Sequence, residues 1–219
     1  MKTFVIAALT SAIGTAALAS GPVAPVYEPP VTIAPVASYD WSGAYAGLGV
    51  TYGRGDMSTG VATPNFPDVQ GAGLSGIAGY NWQNGNMVYG AEVALDVSNR
   101  DGTNDCGVGG TLTCTSASDH QASIRGRLGY AMDRSLVFMT AGYGTDSRSV
   151  VVDNAGVTVA GDGARFGGAM LGLGYEHALS NDWTVRGDYE HYFYGDETFG
   201  ATTVDGDLDL VRFSLVRRF

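Results

Sequence analysis

The chain has 219 residues, with 22 Asp and Glu against 12 Lys and Arg and a formal net charge of −10. This acidic balance argues against nucleic acid as a partner, because proteins that bind nucleic acid carry basic patches. After residue 19 there is no run of about 20 apolar residues, so that part of the sequence predicts no membrane-spanning helix.

The N-terminal region predicts an exported protein. Residues 1–19 carry Lys2, the only lysine, then an apolar run that ends in Ala-Leu-Ala, the pattern of a secretory signal peptide. Residues 20–38 hold five of the seven prolines and are predicted to form an extended tether. The folded domain is then predicted to span 39–219.

From Trp41 onward, segments rich in Gly, Tyr, Val and Leu alternate with polar connections. They predict eight strands, near 41–54, 71–84, 87–98, 120–132, 136–147, 164–179, 183–197 and 207–219. Tight turns are predicted at 84–86, 133–135 and 180–182, and long polar loops at 55–70, 99–119, 148–163 and 198–206. Because short and long connections alternate strictly, the sequence predicts an all-β, eight-stranded antiparallel up-and-down transmembrane β-barrel.

Within these strands, charged residues share one face and apolar or aromatic residues share the other. The apolar face suits lipid, so the charged face is predicted to point inward. Eight strands leave an interior barely wide enough for its own side chains, so opposite charges are expected to pair and fill the lumen. The alternative is a polar conduction path. The predicted lumen charge network comprises Glu92, Asp96, Arg125, Arg127, Glu176, Arg186, Asp188, Glu190 and Arg212.

Two other sets of residues carry structural predictions. The three tryptophans, Trp41, Trp82 and Trp183, fall at the strand ends nearest the termini and short turns, as an aromatic girdle at a membrane interface requires. The only cysteines, Cys106 and Cys114, lie in a polar stretch of an exported chain, which predicts a disulfide bond.

Four stretches resemble the small outer-membrane β-barrel proteins of alphaproteobacteria, a family that includes major surface immunogens. They are WSGAYAGLGVTYG at 41–53, GYNWQNGNMVYGAEVALD at 79–96, GLGYEHAL at 172–179 and LVRRF at 215–219. The resemblance implies location in the outer membrane of a Gram-negative bacterium, with 20–38 in the periplasm, short periplasmic turns and longer extracellular loops. It also implies insertion by the barrel-assembly machinery, which reads a C-terminal strand ending in Phe. Phe213, Leu215 and Phe219 match that signal, whereas Arg217 departs from it.

The expected role is structural, supporting envelope integrity and presenting surface loops. Alternatives are a narrow porin-like diffusion channel for small solutes, and a binding protein or adhesin acting through 55–70 and 99–119. The expected partners are outer-membrane lipids and lipopolysaccharide, with no specific loop ligand predicted. No motif predicts a metal or cofactor. His120, His177 and His191 form no evident Ser-His-acid set, so no enzymatic activity is predicted.

Overall fold

The computed structural model describes residues 39–59, 67–105, 112–199 and 202–219, all within the second of two units of the chain, Ala37–Phe219. The predicted signal peptide (1–19) and tether (20–38) lie outside the described residues and stay predictions. No helix in these ranges is long and apolar enough to cross a membrane.

Eight antiparallel strands form one closed barrel. Each strand pairs with the next, and the last pairs back with the first, which confirms the predicted fold class. The strands are β1 (Gly43–Thr59), β2 (Val69–Asn84), β3 (Met87–Asp105), β4 (Leu112–Met132), β5 (Ser135–Asn154), β6 (Val157–Ala178), β7 (Trp183–Phe199) and β8 (Thr202–Arg218).

The two ends of the barrel differ in their connections. At the end that we call the turn end, only two residues separate β2 from β3 and β4 from β5, and four separate β6 from β7. Gly85 and Asp133 adopt positive φ values of 60° and 53° in the two tightest of these turns, as short hairpin loops require. We call the opposite end the loop end.

At the loop end, the strands continue into segments that the sequence predicts to be loops. The clearest case is 148–163, where β5 and β6 run on until only Ala155 and Gly156 separate them, with φ of 49° and 84°. Strand residues likewise extend into 55–70, 99–119 and 198–206. The sequence gives no clear alternation here because the outward face of these extensions stands beyond the membrane and needs no apolar residues, while the inward face is partly polar.

Side chains alternate between a lipid-compatible exterior and a polar interior. On β1, Leu48 is 76% exposed and points outward, whereas Tyr45 on the other face is 2% exposed. β4 changes phase once, at a register shift between Ser118 and His120, so that its inward residues are even-numbered before the shift and odd-numbered after it. A β-bulge reverses the facing of the residues beyond it in this way.

The exterior carries two bands of aromatic side chains. Near the turn end these include Trp82 and Trp183, and nearer the loop end Tyr143 and Phe193. Ten residues separate Trp183 from Phe193 along β7. That is about 33 Å along the strand, or about 25 Å at a tilt of about 40°, which matches the apolar band of an outer-membrane barrel.

Candidate functional site in the barrel interior

All nine charged residues predicted for the lumen lie in the interior, each at most 5% exposed. They come from five strands, β3, β4, β6, β7 and β8. Isolated charges are costly to bury, so each must find partners there. The contacts fall into three layers, a central layer and one toward each end of the barrel.

Glu92 of β3 is the hub of the central layer. Arg125 of β4 donates to Glu92 Oε1 from Nε at 2.7 Å and also from Nη2. Arg186 of β7 donates to both Glu92 oxygens, and the Tyr45 hydroxyl donates to Oε2 at 2.7 Å. Arg186 Nε also donates to both oxygens of Asp188, each at 2.9 Å. The Glu92 contacts therefore join β1, β3, β4 and β7 across the lumen.

A second carboxylate, Glu190 of β7, continues this layer. Its Oε1 atom accepts hydrogen bonds from Arg125 Nη1 and Arg212 Nη1. Its Oε2 atom accepts a hydrogen bond from the Tyr192 hydroxyl at 2.6 Å. Arg212 of β8 also donates from Nη2 to Asp96 Oδ2 of β3 at 3.0 Å. Arg125–Glu190 and Arg212–Asp96 join strands that are not neighbours, so they cross the interior rather than run along its wall.

Toward the turn end, the network ends in an ion pair and stacked guanidinium groups. Arg127 Nη2 donates to Glu176 Oε2, whose other oxygen accepts from the Thr184 hydroxyl at 2.6 Å. The guanidinium carbons of Arg127 and Arg186 lie 3.7 Å and 4.6 Å from the centre of the Phe138 ring. Cation–π contacts of this kind are strongest when the charge is shielded from water.

The segment before β1 closes the network on this side, and we call Tyr39 and Trp41 the turn-end cap. The Trp41 indole N–H donates to the carbonyl of Asp133 at 3.1 Å, and its backbone N–H donates to Gln83 Oε1 at 2.6 Å. The Tyr39 hydroxyl donates to the carbonyl of Asn181 at 2.9 Å, and burial raises the pKa of this hydroxyl. The cap thus bonds to residues at all three turn-end connections.

The prediction that Trp41 belongs to the aromatic girdle is therefore wrong. Trp41 is fully buried, in a cluster with inward residues of β3 to β6 that include Leu136 and Phe138. The strand pattern does not govern it, because Trp41 precedes the first paired residue of β1 and turns inward. Trp82 and Trp183, by contrast, face outward and are 47% and 41% exposed.

Toward the loop end, the structure adds two interior arginines that were not predicted. Arg148 Nε donates to Asp146 Oδ2 at 2.7 Å. Arg100 Nη2 donates to Gln121 Oε1 at 3.2 Å and lies 3.8 Å from Asp96 Oδ1. Both arginines fall in segments predicted to be loops. Extending the even-numbered inward pattern of β3 and β5 through those segments is the signal that finds them.

Apolar and aromatic side chains complete this layer. Arg148 lies over the rings of Phe166 and Tyr194, at 5.1 Å and 5.4 Å from their centres. These rings belong to a buried cluster with Met170, Tyr192, Leu208 and Leu210. Buried side chains therefore occupy the described interior in all three layers.

The remaining predicted residues lie on the exterior or outside the described ranges. Phe213, Leu215 and Phe219, the predicted assembly signal, all point outward, and the Arg217 guanidinium carbon lies 5.4 Å from the centre of the Phe219 ring. Cys114 is buried in β4, whereas Cys106 lies outside the described residues. The disulfide between them stays a prediction.

A closed antiparallel ring of eight strands, apolar outside and charged inside, defines the class of transmembrane β-barrels. The chain matches the family model of the outer membrane protein beta-barrel domain over residues 5–219. It belongs to that family and is an integral protein of the Gram-negative outer membrane. Its turn end is accordingly periplasmic and its loop end extracellular.

Named relatives agree with this assignment. The chain is 31% identical over 207 residues to the 31 kDa outer-membrane immunogenic protein of Brucella melitensis, covering 86% of this chain and 85% of the relative. It is 32% identical over 174 residues to the 22 kDa outer membrane protein of Rhizobium leguminosarum, covering 80% and 71%. The solved outer membrane protein OprG from Pseudomonas aeruginosa shares the fold, with a TM-score of 0.52 at 10% identity and coverage of 81% and 96%.

Proposed function

We propose that the protein is a closed structural barrel that stabilises the outer membrane and holds its loop end at the cell surface. The observation that carries this proposal is the set of ion pairs across the interior. Arg125 joins β4 to β7, Arg186 joins β7 to β3, and Arg212 joins β8 to β3. A solute passing through would have to break these buried pairs, and eight strands leave little room beside them.

Planar-bilayer recording tests this proposal against the diffusion channel. Refolded mature protein, with insertion confirmed by protease protection, is expected to give no discrete conductance steps. Arg54→Gln serves as a control, because Arg54 lies on the exterior and its side chain is 63% exposed. Reproducible steps whose size changes in Arg125→Gln but not in Arg54→Gln would overturn the proposal and make Arg125 part of a pore lining.

We also propose that the protein is not an enzyme. Two of the described histidines, His177 and His191, have separate polar partners and do not form one catalytic site. His177 Nδ1 lies 3.0 Å from the Ser135 hydroxyl, whereas His191 Nδ1 lies 2.8 Å from Asp209 Oδ1. His177 pairs in register with Val185, six residues before His191, which puts the two about 20 Å apart. A serine, a histidine and an acid must instead converge within hydrogen-bond reach.

A further inference from the structure

β6 extends beyond its pairing with one of its two neighbours. On one side it pairs with β5 as far as Val157, at the tip of the β5–β6 hairpin. On the other side its ladder with β7 begins only at Gly168, which pairs with Tyr194. Beyond that pair, Gly195 of β7 still lies beside the Gly167 carbonyl, but within the described ranges no strand forms a ladder with residues 157–165 on that side. We call this stretch the open edge.

The hydrogen bonds at the periplasmic end of β6 show which way the N–H and C=O groups of the open edge point. The Ala178 N–H donates to the carbonyl of Arg134, next to β5, at 2.8 Å. The Leu179 N–H donates to the carbonyl of Trp183, on β7, at 2.9 Å. Because backbone groups alternate along an antiparallel strand, even-numbered β6 residues bond toward β5 and odd-numbered residues point the other way.

This alternation holds into the open edge, because the first register shift between β5 and β6 occurs at Val152 and Asp153, near the hairpin tip. A separate contact agrees, since the Gly163 N–H donates to Asp162 Oδ1 at 2.8 Å instead of entering the β5 ladder. The residues of the open edge whose N–H and C=O groups point away from β5 are Gly161, Gly163 and Arg165. Two of the three are glycines, so few side chains shield these groups.

The open edge stands in the extracellular medium with little of the usual protection of an edge strand. Residues 157–163 are exposed on both faces, and Val157 and Val159 are 65% and 57% exposed. Proteins normally blunt such edges with Pro, with charged side chains, Lys above all, or with very short strands. The stretch 157–165 contains neither Pro nor Lys, and Asp162 and Arg165 are its only charged residues.

We propose that the open edge binds an extended, basic peptide segment of a partner protein, which adds to β6 as a further strand. Main-chain hydrogen bonds supply affinity in this mode of recognition, and a row of strand groups without a ladder partner suits it. The Gly163 N–H becomes available to the added strand when it leaves Asp162 Oδ1. Charge specifies a basic segment. Exposed acidic residues at the loop end outnumber the exposed arginines there, Arg54 and Arg165. These acids are Asp56, Asp68, Asp101, Asp105, Asp119, Asp162, Asp207 and Asp209.

The test uses refolded mature protein in zwitterionic nanodiscs and a fluorescent nine-residue peptide of alternating Thr and Val with Lys at each end. Fluorescence anisotropy is expected to show saturable binding. The same peptide with alternate backbone amides N-methylated cannot form the ladder and is expected to bind at least tenfold more weakly. Absence of saturable binding, or equal binding of the two peptides, would overturn the proposal. Equal binding to protein-free nanodiscs would assign the signal to lipid and would likewise overturn it.

Two substitutions at one position sharpen the test. Gly163→Pro removes an N–H that points away from the β5 ladder. A strand tolerates proline at such an edge position, because no ladder hydrogen bond is lost. It is expected to weaken peptide binding at least tenfold. Gly163→Ala is the matched control, because a Cβ there meets only the Arg148 carbonyl at 3.7 Å, and its affinity is expected within twofold of wild type. Equal affinity of the two variants would contradict the proposal, and should Gly163→Pro fail to fold, the N-methylated peptide decides. None of these outcomes depends on whether the lumen conducts.

Discussion

Arg125 lies between two buried carboxylates, Glu92 and Glu190, which belong to different strands. Removing its guanidinium leaves both carboxylates short of a partner where water cannot replace it. Arg125→Leu is therefore expected to lower the free energy of unfolding by about 3–5 kcal/mol, and Glu190→Leu by a similar amount because it removes one of the two carboxylate partners of both Arg125 and Arg212. The urea midpoint of the refolded protein in detergent micelles measures both.

Arg54→Leu provides the control for these two variants. Arg54 also contacts carboxylates, Asp56 at 3.8 Å and Asp68 at 3.4 Å, but all three side chains are more than half exposed. Exposed pairs contribute at most about 1 kcal/mol, so its midpoint is expected close to wild type. Equal midpoints for Arg125→Leu and Arg54→Leu would contradict the description of the interior.

At single positions, the alternation of side chains within a strand was enough to predict which residues point into the barrel. The strict two-residue period puts Arg186, Asp188 and Glu190 on one face, and the apolar neighbours leave that face only the interior. Two residues were missed for different reasons. Arg148 keeps the two-residue period, but its neighbours Ser147 and Ser149 are polar, so no apolar face marks the opposite side. Trp41 lies before β1, where no ladder fixes its direction. The particular partners in the network could not be read from sequence, because they join strands that are distant along the chain.

Among the structural elements, the short segment before β1 contributes more to the stability of the barrel than its length suggests. Trp41→Ala removes a fully buried indole and is expected to lower the free energy of unfolding by about 3–5 kcal/mol. Trp41→Phe keeps a ring but loses the hydrogen bond to the Asp133 carbonyl, at a cost of about 1 kcal/mol from that bond. Urea midpoints should rank wild type, Trp41→Phe and Trp41→Ala in that order. A wild-type midpoint for Trp41→Ala would mean that the cap is dispensable.

Element boundaries were predicted well at the periplasmic end and poorly at the extracellular end. Gly85 and Asp133 lie in turns that only a few residue types adopt, so the local sequence marks them. In the β5–β6 hairpin, the ladder continues through Thr, Asp and Gly residues as far as Ala155 and Gly156. Hydrogen bonds to the neighbouring strand hold these residues, and that information is not local to the sequence.

For the whole molecule, the β1–β8 ladder decides whether the sheet is a barrel. It pairs Tyr45 with Arg218 at one end and Thr59 with Val204 at the other, which closes the ring along all but the first two residues of β1. Closure removes sheet edges from the membrane, where unpaired backbone groups are costly. The termini of the folded domain therefore depend on each other, and a defect between β1 and β8 should affect the entire barrel.

A substitution at Gly49 tests this dependence, because the backbone of β8 lies directly against this residue. A Cβ built at Gly49 lies 2.4 Å from both the Phe213 carbonyl oxygen and the Ser214 hydroxyl, so any side chain forces β1 and β8 apart. A Cβ at Gly76 on the exterior meets only Leu48 Cδ2, at 3.9 Å, so Gly76→Val is the matched control.

Electrophoresis in SDS measures whether the barrel closes. Unboiled wild type and Gly76→Val are expected to migrate differently from their boiled forms, because a closed barrel resists detergent. Unboiled Gly49→Val is expected to migrate like boiled protein. A retained mobility shift in Gly49→Val would show that closure tolerates a side chain there, and identical mobility of boiled and unboiled wild type would contradict the barrel itself.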